Sequence, residues 1–200
     1  MKTALVLAAV FLILSGAPRA TLAQATNSDA ITMDAFGKPW KLLIDSPGFQ
    51  VKKPVSKTID NGVQPDGRVY LLAQNATTKV NLSVFLEKVR GKATVDGCKK
   101  AQQHRLTQNV PYDRQDASMR MDGDLEIVEY TMTEMHDASL HESSIRQRSI
   151  FACIARDDVY VDIHLSKTNY TPEDEQAFKA VLTSVHFVDK ATPDAKSTQP

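Results

Sequence analysis

The sequence has little of several features that would point to a function at once. Among its 200 residues there are two cysteines and one tryptophan, and 24 basic residues are matched by 24 acidic ones. Nucleic acid is bound through a net basic face, so we expect no nucleic-acid partner. Beyond the N-terminal region, no stretch approaches the roughly 20 apolar residues that cross a bilayer. We therefore expect no transmembrane segment once the N-terminus has been removed.

Catalytic and cofactor motifs are also missing. The chain contains no G-x-S-x-G nucleophile motif, no H-E-x-x-H zinc motif, no P-loop and no dinucleotide-binding glycine run. Its cysteines do not form a C-x-x-C pair. The sequence thus names no catalytic residue, no metal ligand and no cofactor, and it favours a protein that is not an enzyme.

The N-terminus has the pattern of a secretory signal peptide. Lys2 gives a short positive region, residues 4–14 form an apolar run, and small residues follow at Thr21 and Ala23. The run is too short to cross a bilayer, so we predict cleavage after Ala23, with Ala25 as the alternative. An uncleaved N-terminal anchor is the other interpretation. A cleaved signal predicts a secreted or periplasmic protein.

The remainder of the chain has the length of one domain. Loss of residues 1–23 leaves 22 basic against 24 acidic residues. Composition then predicts a flexible leader at 24–39, a single α+β domain at 40–188 and a disordered tail at 189–200. A chain of this size can bury a substantial core.

Cys98 and Cys153 are expected to form a disulfide. A lone pair of cysteines in an oxidising compartment favours a bridge, which here closes a loop of 55 residues. The alternative is a reactive thiol, and the sequence has no C-x-x-C motif to support it. A bridge would remove both sulfurs from any set of nucleophiles or metal ligands.

Alternating apolar residues predict a series of β-strands. The alternation is clearest in two segments, which carry Val80, Leu82, Val84 and Leu86 in one case and Val159, Val161, Ile163 and Leu165 in the other. Further strands are expected at 49–51, 68–75, 125–135, 145–155 and 186–188. Short turns join neighbouring segments, which favours antiparallel pairing.

Two helices complete the predicted fold. Thr94 is an N-cap candidate for a helix whose apolar face is thin. Thr171 and Pro172 have the signature of a second helix start. Its apolar stripe contains Phe178, Val181, Leu182 and Val185. We therefore predict an α+β fold, an antiparallel β-sheet of about six or seven strands with two helices packed on it.

Residues 107–124 are predicted to form a long polar connection between the first helix and the next strand. Loops of this length are often functional. Tyr112, Met119 and Met121 in this segment are therefore our first candidates for a contact surface. The plainer interpretation is a surface loop without a binding role.

Several core and cap residues resemble those of a known family. They are the strand Val159-Tyr160-Val161-Asp162-Ile163, the helix residues Phe178 and Leu182, the closing Ser184 and Phe187, and Gly48-Phe49-Gln50-Val51 with Pro54. Over roughly 40–188 the chain resembles the PsbP-like α+β sandwich family. That family includes an extrinsic photosystem protein of plants and many exported bacterial proteins. The resemblance implies a sandwich fold and a binding or accessory role.

Four polar residues complete the candidate contact surface. Asp162 and His164 are two apart on a predicted strand and therefore share a face, as do Arg146 and Arg148. The first pair offers two metal ligands, whereas zinc needs at least three from the protein, so a solvated sheet face is the plainer interpretation. The arginines could hold an anion, and a surface cross-strand salt bridge is the plainer interpretation.

These observations leave three hypotheses about function. The leading one is a non-enzymatic binding or accessory protein of the cell envelope or extracellular space, whose partner is an unknown protein or envelope component. The second is a hydrolase whose site forms only in the fold, around Asp162 and His164. The third is a structural or stress-related envelope protein.

Overall fold

The computed structural model describes residues 30–45, 47–52, 69–135 and 146–190. Within them, ten strands form two antiparallel sheets and two helices pack on the sheets. The elements are β1 (Ala30–Asp34), β2 (Trp40–Asp45), β3 (Phe49–Val51), β4 (Val69–Asn75), β5 (Asn81–Lys88), α1 (Val95–Thr107), β6 (Tyr112–Asp122), β7 (Leu125–Met135), β8 (Gln147–Arg156), β9 (Val159–Thr168), a 3-10 turn (Pro172–Asp174), α2 (Glu175–Ser184) and β10 (Val185–Asp189).

The large sheet has seven strands in the order β3-β4-β5-β9-β8-β7-β6. Opposite residues of antiparallel strands lie on the same face, so Leu82, Leu165 and Ile150 form one apolar row across β5, β9 and β8. All three side chains are buried. We call this the inner face of the sheet and the opposite side the outer face.

The inner face packs against the small sheet and α2. The small sheet has the order β1-β2-β10. Its central strand supplies Trp40, Leu42 and Ile44, which are almost fully buried in the same core cluster as Phe178 and Leu182 of α2. Since apolar burial is the largest favourable term in folding, this two-layer core carries most of the stability.

Both helices begin where the sequence places them. Thr94 Oγ1 accepts a hydrogen bond from Gly97 N at 3.1 Å, which caps α1. Thr171 N donates to Asp174 Oδ2 at 2.9 Å in a capping box, and the 3-10 turn leads into α2. Helix α1 lies alone on the outer face, over β7 and β8. The expected α+β sandwich is therefore confirmed.

Three predictions about the strands need correction. Residues 107–124 are not a loop, because β6 occupies Tyr112–Asp122 and pairs with β7. The predicted leader contains β1, which pairs with β2. The prediction does not contain the small sheet. Two strands of this sheet precede residues 49–51, which the sequence predicts as the first strand and which form β3.

The boundaries of the domain also differ from the prediction. Strand β10 ends at Asp189, and Lys190 N donates to Pro39 O at 2.7 Å, so the ordered part extends past residue 188. The predicted signal peptide and the rest of the predicted tail lie outside the described residues. In the described part of the chain, no helix is both long and apolar enough to span a bilayer.

Candidate functional site

Helix α1 is held on the outer face by a covalent bond and by polar contacts. Cys98 and Cys153 form the predicted disulfide, with Cα atoms 5.5 Å apart. Near the helix start, Thr94 N donates to the Tyr160 hydroxyl at 3.3 Å. Gly97 lies so close to this ring that a Cβ there would overlap it. The first turns of α1 are therefore fixed against β8 and β9.

A row of aromatic rings crosses the outer face beside this helix. Tyr112, Tyr130, Phe151 and His164 stack in order across β6, β7, β8 and β9, with centroids 6.3, 5.9 and 4.1 Å apart. The Arg105 guanidinium of α1 lies 4.5 Å from the Phe151 centroid, a cation–π contact. The row thus serves as the surface on which the second half of α1 rests.

The C-terminal end of α1 is capped from the sheet. Arg114 on β6 donates to the carbonyl oxygens of Leu106 and Gln108, both at 3.1 Å. Such carbonyls have no partner inside a helix. The same guanidinium lies 5.6 and 5.4 Å from the Tyr112 and Tyr130 centroids. Tyr112, a predicted contact residue, is therefore part of the packing at the end of α1.

Asp162 and His164 lie beside α1 and are used in holding it. Asp162 forms an ion pair with Arg105, and His164 stacks on Phe151. Burial, with a smaller effect of the Arg105 charge, lowers the pKa of His164 to about 4. Burial raises the pKa of Asp162, although Arg105 opposes this. His164 is consequently neutral at pH 7 and contributes packing instead of charge.

The same placement bears on metal binding. His164 Nε2 and Asp162 Oδ1 make no hydrogen bond with any other described residue. Over residues 30–45, 47–52, 69–135 and 146–190, no group of three or more His, Cys, Asp or Glu side chains is arranged to hold an ion. Asp162 and His164 therefore have no third ligand in this part of the chain.

Arg148 lies on the inner face and is used within the sheet. Its guanidinium is 2.8 Å from Glu129 of β7, and only 14% and 13% of the two side chains are exposed. It also lies 6.0 Å from the Tyr170 ring. The cross-strand salt bridge is thus its role in the fold. Arg146 precedes β8 and is exposed, and its carbonyl accepts a hydrogen bond from Asn169 N at 2.8 Å.

Strand β6 forms one edge of the large sheet. Bulges interrupt its pairing with β7 before Ser118, whereas Ser118 to Asp122 pair in unbroken register. No described strand pairs with its far side. Met119 and Met121 lie on its outer face, and Met121 is 47% exposed. A regular, unpaired strand edge offers backbone N–H and C=O groups to another extended chain.

A groove runs between β6 and α2 on the inner face. We call it the α2 groove, and it consists of two adjoining cavities that share Asp122 and Leu182. The first, of about 270 Å³, lies between Arg120 of β6 and Lys179 of α2. The second, of about 460 Å³, is the end cavity beside the turn that joins β6 to β7. The groove thus borders the regular part of the β6 edge.

Sequence reasoning missed the residues of the α2 groove. Arg120, Asp122 and Lys179 come from two elements that are far apart in the chain, so no local spacing links them. One signal was available, because charged Arg120 and Asp122 alternate with Met119 and Met121, as they would in a strand with two different faces.

Comparisons with known proteins identify the type of fold. No family model matches the chain, and no curated protein matches it. Cyanobacterial PsbP (CyanoP) from Synechocystis aligns over 86% of this chain and 100% of its own, with a TM-score of 0.50 and 10% identity. The chain has a PsbP-like fold. At this identity the likeness concerns the fold alone, and it agrees with the resemblance drawn from the core and cap residues.

Two other solved structures share weaker similarity with this PsbP-like chain. A Bacteroides thetaiotaomicron protein aligns with a TM-score of 0.47 and 8% identity, over 76% of this chain but only 46% of its own. The Saccharomyces cerevisiae Ran-binding protein Mog1p aligns with a TM-score of 0.45 and 13% identity, over 82% of this chain and 97% of its own.

Proposed function

We propose that the protein is an exported, non-enzymatic binding protein that holds an extended segment of a partner protein along the edge of β6. One observation carries this proposal. The regular strand edge at residues 118–122 borders the α2 groove, so backbone pairing and side-chain recognition are available side by side.

Strand addition would use both faces of β6. A segment paired with this edge continues the sheet through main-chain hydrogen bonds, and its side chains alternate between the two faces. One set would contact Met119 and Met121 on the outer face. The other set would enter the α2 groove beside Arg120 and Asp122. The first set supplies apolar contact and the second supplies selectivity.

The proposed location outside the cytoplasm is supported by the disulfide and by the N-terminal pattern. Disulfides persist in oxidising compartments and are rare where thiols are kept reduced. Cys98 and Cys153 are both buried in the bridged form. The apolar run at residues 4–14 and the small residues after it suit a cleaved signal.

The contacts of Asp162 and His164 weaken the hydrolase alternative. That alternative needs a site around these two residues, whereas Asp162 pairs with Arg105 and His164 stacks on Phe151. No observation favours the structural or stress-related alternative over a binding role.

Selection from a random peptide library tests the binding role. The probe is a display library of linear dodecapeptides presented to the mature, disulfide-bonded protein, and bound peptides are mapped by amide NMR shifts. We expect shifts concentrated at residues 118–122 and along α2. A library that yields no binder, or binders whose shifts lie on α1 or β3, would overturn the proposal.

Two matched variants sharpen this test. Met121→Lys should weaken the selected peptides by about fivefold, because it replaces an apolar contact at the edge with a charge. Val51→Lys is the control, since Val51 is 49% exposed on β3 at the opposite edge of the same sheet. Equal weakening by both variants would show that β6 is not the binding edge.

The export part of the proposal has its own test. The full chain is produced with its own N-terminus in a bacterium that has a periplasm, and the cell fractions are examined by mass spectrometry. We expect a shortened chain outside the cytoplasm that resists thiol alkylation. A full-length chain with two alkylated cysteines would contradict export.

A further inference from the structure

The end cavity of the α2 groove has an apolar floor. Leu125 of β7, Ile154 of β8 and Leu182 of α2 line it, and each is more than nine-tenths buried. Phe187 of β10 also lines the cavity and is partly buried. A cavity of about 460 Å³ with this lining offers room and apolar surface for a side chain or a small molecule.

The rim of the end cavity carries acidic groups. Asp122 is the last residue of β6 and Asp124 lies in the turn that joins β6 to β7, and both line the cavity. Asp122 is 3.8 Å from Arg120, at the long end of the ion-pair range, and Arg120 also lies 3.6 Å from Glu129. Asp124 forms no ion pair with another described residue. The turn therefore presents negative charge that is only partly balanced.

The two basic residues that line the end cavity, Arg156 and His186, are already engaged. The Arg156 guanidinium is 2.9 Å from Asp189 and lies 5.3 and 4.9 Å from the rings of Trp40 and Phe187. His186 Nδ1 is 2.8 Å from the Ser184 carbonyl oxygen. Because Arg156 is paired, the charge offered at the mouth of the cavity is that of the two aspartates at the turn.

We infer that the end cavity takes a basic group on an apolar stem, such as a lysine or arginine side chain. Such a group would bury its methylene stem on Leu125, Ile154 and Leu182 and leave its charged end at Asp122 and Asp124. The inference rests on the proposed function, because it names the side chain by which a bound segment would enter the α2 groove.

Small six-carbon probes test the chemistry of the cavity without any peptide. Hexylammonium, hexanol and hexanoate share one stem and differ in charge, and their binding to the mature, disulfide-bonded protein is followed by amide NMR shifts. We expect shifts at Gly123, Leu125 and Thr183, with hexylammonium about fivefold tighter than hexanol and hexanoate weaker than both.

Charge-removing variants supply the matched control. Asp122→Asn with Asp124→Asn should abolish the preference for hexylammonium and leave hexanol binding unchanged, because the floor is intact. Asp96→Asn removes one carboxylate from exposed α1 and should change nothing. Equal binding of the three probes, shifts away from the cavity, or a preference that survives in the double variant would overturn the inference.

The peptide and small-probe experiments distinguish a failure of the proposed binding at β6 from a failure of the proposal for the end cavity. If library peptides map to β6 but hexylammonium shows no preference, the binding role stands and the basic side chain is wrong. If hexylammonium binds at the end cavity but no peptide binds β6, the proposed function is wrong and the cavity is a site for a small cation.

Discussion

The two helices of this protein are attached in opposite ways. Helix α2 buries Phe178, Val181 and Leu182 in the core shared by the two sheets. Helix α1 buries only Cys98 and Gln102 and is held by the disulfide and the Arg105–Asp162 ion pair. An apolar stripe gains its free energy from area removed from water, whereas a polar helix depends on a few specific links.

This difference indicates which side of the molecule is suited to binding. The polar residues Arg105, Arg114 and Asp162 hold α1 on the sheet. Few of their polar groups therefore remain for a ligand. Helix α2 is held by its apolar side chains in the core. Its Lys179 side chain lines the groove beside β6. A firmly packed helix makes a rigid wall for a site.

Loss of core packing under α2 should have the largest effect on stability. Phe178 is fully buried, so Phe178→Ala should lower the free energy of unfolding by about 4–5 kcal/mol through lost burial and the cavity left behind. Urea unfolding measures this. A loss below about 1 kcal/mol would mean that α2 is not part of the core.

Removal of the disulfide should rank next and should affect α1 first. Replacing Cys98 and Cys153 by alanine frees a loop of 55 residues, which costs about 4 kcal/mol in the chain-entropy model. Hydrogen exchange should quicken in α1 before α2. Equal loss of protection in both helices would contradict the contrast between them.

Acid should weaken the attachment of α1 through His164. Its pKa is about 4 in the folded protein against 6.5 when exposed, so the unfolded chain binds more protons between these values. Stability should fall by about 3 kcal/mol as the pH drops from about 7 to about 3, and below that it should no longer change through His164. His164→Phe keeps a ring on Phe151 and should flatten that slope. An unchanged slope would contradict the assignment.

Loss of the Arg105–Asp162 ion pair should have the smallest effect. Arg105 and Asp162 are 30% and 27% exposed, so Arg105→Met should cost about 1 kcal/mol and quicken exchange in the last turns of α1. The control is Lys100→Met, because the Lys100–Asp96 pair is mostly exposed and should contribute nothing measurable. Equal effects of the two variants would show that the Arg105 contact does not hold the helix.

Sequence reasoning succeeded where one local rule determined the outcome. The alternation in β5 and β9 and the caps at Thr94 and Thr171 follow from chemistry within a few residues. The two cysteines have no other cysteine in the sequence to pair with. The small sheet was missed for two reasons. Its pairing of β2 with β10, such as Ile44 with Val185, joins segments far apart in the chain, and β1 lies in a small, polar segment whose composition predicts a leader.

Strand β6 and its groove were missed for a different reason. An edge strand pairs on one side only and lies largely in solvent, so Arg120 and Asp122 need not be apolar. Its bulges further disturb the two-residue period. The length and polarity of residues 107–124 predict a loop around Met119 and Met121, although the spacing of the two methionines also suits one face of a strand.

Photo-crosslinking from three positions tests the central claim most directly. A photoreactive amino acid is placed at Met121, at Val51 or at Val95, which are 47%, 49% and 50% exposed on β6, β3 and α1. The mature protein is irradiated in envelope extract with and without a library-selected peptide. We predict a crosslink at Met121 that the peptide removes, and none at the other two positions. Crosslinks of equal strength at all three, or one confined to Val95, would contradict the account.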